Sequence, residues 1–315
     1  MNSLANAMPE SGEPAAAPAS LSPTRPLYWS VRRELWENKS IYMAPAIAGI
    51  VVFLAVVISV FHGRTEIIVN GQHVLRPLAT LEPAQQASML LQRHGFPAAA
   101  LALVSLIVGV FYCLDALHAE RRDRSILFWK SLPVSDLTTV LSKALVALVV
   151  LPIVTYAVVV VLEILILPLS IIQVDGLSAA TLWDRLPLFE LLAIMLYGLA
   201  VGALWYAPVY GWLLLVSGYV RRAPFLWATL PPLAIVIFEK IAFNTSYFGS
   251  MLKDRLAAGA SEAFTSAVHE KGEPFTLPMM DPMKLLGTPA LWIGLAVAAV
   301  FFIAAVRQRR YRGPL

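Results

Sequence analysis

The chain has 315 residues, of which 58% are hydrophobic and only 14% charged, with a formal net charge of +4. A soluble domain carries about 25% charged residues, so this composition excludes an ordinary soluble enzyme. The single cysteine, Cys113, excludes an intrachain disulfide, and no Cys/His cluster has metal-ligand spacing.

The apolar residues are bunched into runs of about 20, the length that crosses a roughly 30 Å hydrocarbon core at 1.5 Å per helical residue. The fold expected is an all-α integral membrane protein with six transmembrane helices. Residues 1–25 are rich in Ala, Pro and Ser and lack the basic-then-apolar order of a secretory signal. They read as a disordered cytoplasmic tail, and 26–315 as one transmembrane domain.

A helix over 27–40 comes next. Leu27, Tyr28, Val31 and Leu35 fall on one face at helical spacing, and Arg33, Glu34 and Glu37 on the other. Trp29 and Trp36 close one edge of the apolar stripe, and Arg32 interrupts it and has to snorkel. This pattern predicts an amphipathic helix lying in the membrane interface, with Trp29 and Trp36 at headgroup level and Arg33 toward water. A plain extension of the first span is the alternative.

Spans are predicted at 41–61, 98–117, 144–167, 188–220, 224–238 and 290–306. The loops 62–97, 168–187 and 239–289 then lie on one side, with Pro83 and Gly95 punctuating one outer helix and a second expected near 250–270. With both termini in the cytoplasm, 15 Lys and Arg fall inside and 8 outside, leaving Lys240 at a boundary. The positive-inside rule supports that orientation. The fourth run is long, about 50 Å as a single helix, with Pro208 in its middle. It is either one helix that protrudes or two helical pieces.

An ionisable residue near the bilayer is a candidate functional site. Glu163, Glu190 and Glu239 all fall toward the outer leaflet. They read as interfacial carboxylates that reach water, or as an outer gate or substrate contact. Asp115 and His118 read as interfacial at the other side, and four of the five histidines, His94 included, fall in outer loops. Gly198 and Gly202 form a small-xxx-small pair of the kind that lets helices approach.

The segment 120–136 is a dense charged and aromatic island between two apolar runs. Asp123 to Leu132 reads as a short helix stopped by Pro133, after which Ser135 and Asp136 cap the third span. Phe128 stands one turn from Leu132, with Trp129 beside it. The segment serves either as a docking surface or as simple positive-inside anchoring.

Glu120-Arg121, Asp123-Arg124-Ser125 and Phe128-Trp129-Lys130-Ser131-Leu132-Pro133-Val134-Ser135 resemble the loop between the second and third spans of bacterial ABC transporter permeases of the ABC-2 type, the type V exporter-like membrane subunits. Trp205-Tyr206-Ala207-Pro208-Val209-Tyr210-Gly211-Trp212, followed by Arg221-Arg222, is similar to members of the same family. The resemblance extends over nearly the whole chain after Pro26, and the order of elements is more specific than any one motif. It implies an N-terminal elbow helix and a cytoplasmic coupling helix seated in a cleft of a separate ATP-binding subunit. The contact residues come from Glu120, Arg121, Arg122, Asp123, Arg124, Phe128, Trp129 and Lys130. It also implies a bacterial inner-membrane exporter of a hydrophobic or amphipathic substrate. Two ATPase subunits holding ATP and Mg would pair with two permease copies, a homodimer or a heterodimer with a sister permease. The chain has no G-x-x-x-x-G-K-[ST] loop, so it is not expected to hydrolyse ATP or bind a cofactor itself. Membrane lipid is an expected partner and nucleic acid is not. A secondary transporter or channel is the alternative; it calls for charge at mid-depth.

Overall fold

The structure, a computed structural model, describes residues 24–61, 65–69, 72–76, 83–131, 134–173, 186, 188–258, 263–265 and 279–311. The expected tail lies outside the described residues up to position 23, and the first helix takes in the rest of it, running Thr24–Glu37. Six helices are long and apolar enough to cross a membrane: Ser40–Phe61, His94–Arg122, Asp136–Ile171, Leu188–Tyr219, Pro224–Phe243 and Pro289–Tyr311. They follow the six expected runs in order, which makes the chain a helical, multi-pass membrane protein. Most outlast their apolar run, because a helix ends where its backbone loses partners rather than where hydropathy falls.

Three departures from the sequence reading have local causes. The outer helix expected to close at Gly95 does not close. It is continuous with the second span as one helix, Pro83–Arg122, through Gly95 and Pro97. His94 and Leu101, seven residues apart on either side of Pro97, are both fully buried and hold the two halves in register. The third span contains a π turn, Val146–Val150, between Asp136–Leu145 and Leu151–Gln173. Pro152 lacks an N–H and crowds the carbonyl four residues back, and the wider turn accommodates it. The fourth span is a single unbroken helix through Pro208, Leu188–Tyr219.

Ser135 caps the third span as expected, its Oγ accepting the Thr138 N–H at 3.0 Å. The stop expected at Pro133 lies outside the described residues. The second outer helix is Tyr247–Lys253, continued by a π turn to Ala258, and so is shorter than its expected range. Two short antiparallel pairs, Thr65–Val69 with Gln72–Arg76 and Phe264–Thr265 with Met279–Met280, were not anticipated. The Asn70-Gly71 dipeptide between the first two strands is a strong hairpin signal in the sequence.

The core is densest at the end of the bundle where the first described helix begins and the sixth span ends, the termini end, around Cys113, Leu117, Val140 and Leu214. The close helix contacts use glycines other than the expected pair. A Cβ at Gly109 would sit 2.7 Å from the Tyr210 hydroxyl, so only glycine lets the second and fourth spans meet there. Gly211 brings the fourth span against Phe301 and Ala298 of the sixth. Gly202 has nothing within 4 Å, and Gly198 meets only Phe264. The fifth span, Pro224–Phe243, lies at the edge and buries only Ala228.

Candidate functional site

At the termini end, six charged side chains from four helices converge. Glu34 of the N-terminal helix is fully buried. Its Oε1 accepts from Lys143 Nζ at 2.8 Å and Arg33 Nη2 at 2.7 Å, and its Oε2 from the Tyr112 hydroxyl at 2.9 Å. Glu120, at the end of the second span, meets Lys143 Nζ at 3.1 Å, Arg33 Nη2 at 3.0 Å and Arg309 Nη2 at 3.0 Å. Arg309, in the last turn of the sixth span, also pairs with Asp136 at the start of the third. Three carboxylates and three cations cancel in charge, which is the condition for holding ions out of water. Burial works against the Arg33 charge, but Glu34, Glu120 and Glu37 outweigh it and raise the guanidinium above its ordinary range.

This junction corrects four expectations. Arg33 and Glu34 were placed on the water side of their helix and turn into the junction instead. Glu120 and Arg121 were expected on a partner-facing surface, yet both are buried. Arg121 donates to the Gly218 carbonyl, where a helix C-terminus leaves carbonyls unpaired and favours a cation. The physical reason is common to all four. A polar helix face can point to water or to a complementary polar face, and hydropathy is the same in both cases.

Above the junction sits the helix Ser125–Ser131. It starts two residues later than expected, because Arg124 adopts a left-handed conformation (φ 59°) that turns the chain out of the second span. Ile126 is buried beneath it. Trp129 is half-buried, with the Arg33 guanidinium 3.9 Å from its ring centroid and Phe128 edge-on at 4.9 Å. Arg33 therefore links the N-terminal helix, the charge junction and the short helix. Arg122, Asp123, Arg124, Leu127, Phe128 and Lys130 remain exposed. On the N-terminal helix, Trp29 and Trp36 also point outward, with Arg32 over both rings at 5.2 and 5.1 Å.

A second buried pair lies toward the opposite end. Glu163 of the third span hydrogen-bonds His94 of the second through Nδ1, and His94 Nε2 lies 3.3 Å from Ser170 Oγ. All three residues are buried, and Glu163 Oε1 has no hydrogen-bond partner. Glu163 therefore does not reach water as expected, and His94 is in a helix rather than a loop. The Pro83–Arg122 helix carries the histidine onto the third span. Glu190 is exposed, in keeping with an interfacial carboxylate. Glu239 instead holds the start of the helix Tyr247–Lys253, accepting the Phe248 N–H at 2.9 Å and the Thr245 hydroxyl at 3.1 Å. Among the described residues, no three His, Cys, Asp or Glu side chains gather as a metal site.

Lys143, Arg309, Asp136, Tyr112, His94 and Ser170 are the site residues that sequence reasoning missed. In the sequence Lys143 and Arg309 read only as two of the positive-inside charges. Each lies at the edge of an apolar run, which was the available signal. No family model, curated protein or solved structure matches this chain.

Proposed function

We propose that the chain is the membrane-spanning permease subunit of an ATP-driven transporter of the ABC-2 type, exporting a hydrophobic or amphipathic substrate across a bacterial inner membrane. Both termini are then cytoplasmic, the N-terminal helix is the interfacial elbow, and Ser125–Ser131 is the coupling helix. The observation that carries this reading is the mounting of that short helix. Its Phe128 and Lys130 and the adjoining Arg122 are exposed, while Ile126 and Trp129 tie it to a junction connecting four helices. A push on this surface has a stiff path into the second, third and sixth spans. ATP hydrolysis belongs to a partner subunit, two copies of which would serve a pair of permeases. The fifth span, which buries almost nothing, leaves a face free for the second copy.

The test is purification of the chain from its native membrane in mild detergent. A P-loop ATPase is expected to accompany the wild type and to be lost from Arg122→Glu with Phe128→Ala. Absence of any such ATPase, or its retention by the variant, sinks the reading.

A second reading, an ion-gradient-driven transporter acting without an ATPase, is favoured by one observation, the buried His94–Glu163 pair. Intramembrane ionisable pairs commonly mark proton relays. It requires the purified chain alone, in liposomes, to move solute under a proton gradient and to stop doing so as Glu163→Gln.

A further inference from the structure

An apolar cavity of about 890 Å³ lies between the third, fourth and sixth spans. Small side chains hollow it out: Ala144, Ala200, Ala203, Ala207, Ala298 and Ala299 stand where Leu or Ile would fill the space. Arg307, on the sixth span at the termini end, is the charged residue among its lining. It is exposed, and no carboxylate pairs with it among the described residues; Glu120 and Asp136 are taken by Arg309.

Packed helices do not leave a void of this size empty, and an apolar lining does not hold water. The dimensions choose between the remaining occupants. From Arg307 to Leu295 the cavity follows the sixth span for about 18 Å, slightly more than half of the roughly 30 Å hydrocarbon core. That depth is the reach of the acyl chains of one leaflet, which suits the tails of one diacyl lipid. Leu137, Leu141, Val149, Ile153, Leu204 and Ile303 of the cavity lining are exposed, so it opens sideways to the bilayer, whose acyl chains reach it without any partner chain.

We propose that this cavity is a binding site for one anionic phospholipid of the leaflet at the termini end, its acyl chains against the alanines and its phosphate on Arg307. The bilayer supplies the ligand, and the exposed Arg307 guanidinium selects its charge. The site is independent of any ATPase, so it stands or falls separately from the transport reading.

Native mass spectrometry of the purified chain, given phosphatidylglycerol or phosphatidylcholine with identical tails, tests it. One phosphatidylglycerol per chain is expected to be retained, about fivefold in preference to phosphatidylcholine, as one basic residue near a lipid surface would give. Arg307→Gln, at an exposed position, is expected to keep the fold and lose the preference. Ala203→Phe with Ala299→Phe is expected to expel both lipids, whereas Ile237→Phe on the exposed fifth span changes nothing. Equal retention of both lipids by the wild type overturns the proposal. So does an unchanged preference in Arg307→Gln, or a folded alanine double variant that still holds lipid.

Discussion

Glu120 and Glu163 are both buried carboxylates, and the structure treats them in opposite ways. Glu120 sits among Arg33, Lys143 and Arg309, and each of its oxygens has a cationic partner. Glu163 meets a single imidazole, and one of its oxygens has no hydrogen bond. The first arrangement is neutral in sum and cross-links four helices, so it acts as a fixed joint. The second joins two helices through one cationic partner at most and leaves a carboxylate oxygen unbonded, whereas in the first the unbonded atoms are the Nε groups of Arg33 and Arg309. Buried polar groups in that condition are destabilising, and they persist where a protein uses them.

The contrast breaks most sharply at Lys143. Lys143→Met removes the cation shared by Glu34 and Glu120 and is expected to cost about 3–5 kcal/mol, as for other buried ion pairs that lose one partner. Unfolding in mixed detergent micelles measures it, and a loss below about 1 kcal/mol would show that the junction is wet and weakly coupled. At the other pair, His94→Leu is expected to cost less, about 1–3 kcal/mol, the penalty for leaving a buried polar partner unsatisfied. The two sites are 20 residues apart on one helix, about 30 Å. Combining Lys143→Met with Glu163→Gln should therefore be additive within about 0.5 kcal/mol. A larger coupling energy would mean that the two ends communicate.

Backbone strain at the termini end gives a smaller effect of opposite sign. Ala223 is held left-handed (φ 51°) just before Pro224. Ala223→Gly should stabilise the chain by about 1 kcal/mol by relieving that conformation, as read by the same unfolding midpoint. The smallest expected change is at the exposed helix. Phe128→Ala and Arg122→Glu should alter stability by no more than about 0.5 kcal/mol, as surface substitutions do. A large loss in either would place these side chains in the fixed joint rather than on a surface free to meet a partner.

The six spans, their order and the cap at Ser135 were legible because each depends on a local property: run length, apolar composition, or one side chain bonding a backbone three residues on. Helix continuity was less legible. Pro97 and Pro208 are helix breakers by propensity, and burial on both sides of each overrides them. The candidate site was legible in part. Phe128, Arg122 and Lys130 are exposed as expected, while Glu120, Arg121 and Glu163 turn inward.

Composition and periodicity alone determined that this chain is a bundle of six membrane-crossing helices with a charged island between the second and third. Only the tertiary structure decided which of those charges face water. Residues 34, 120, 143 and 309 are far apart in sequence, and a charge is stable at the edge of a membrane either hydrated or matched by opposite charges. Sequence records that the charge is present. The choice between water and a buried partner depends on which helix ends the fold brings together.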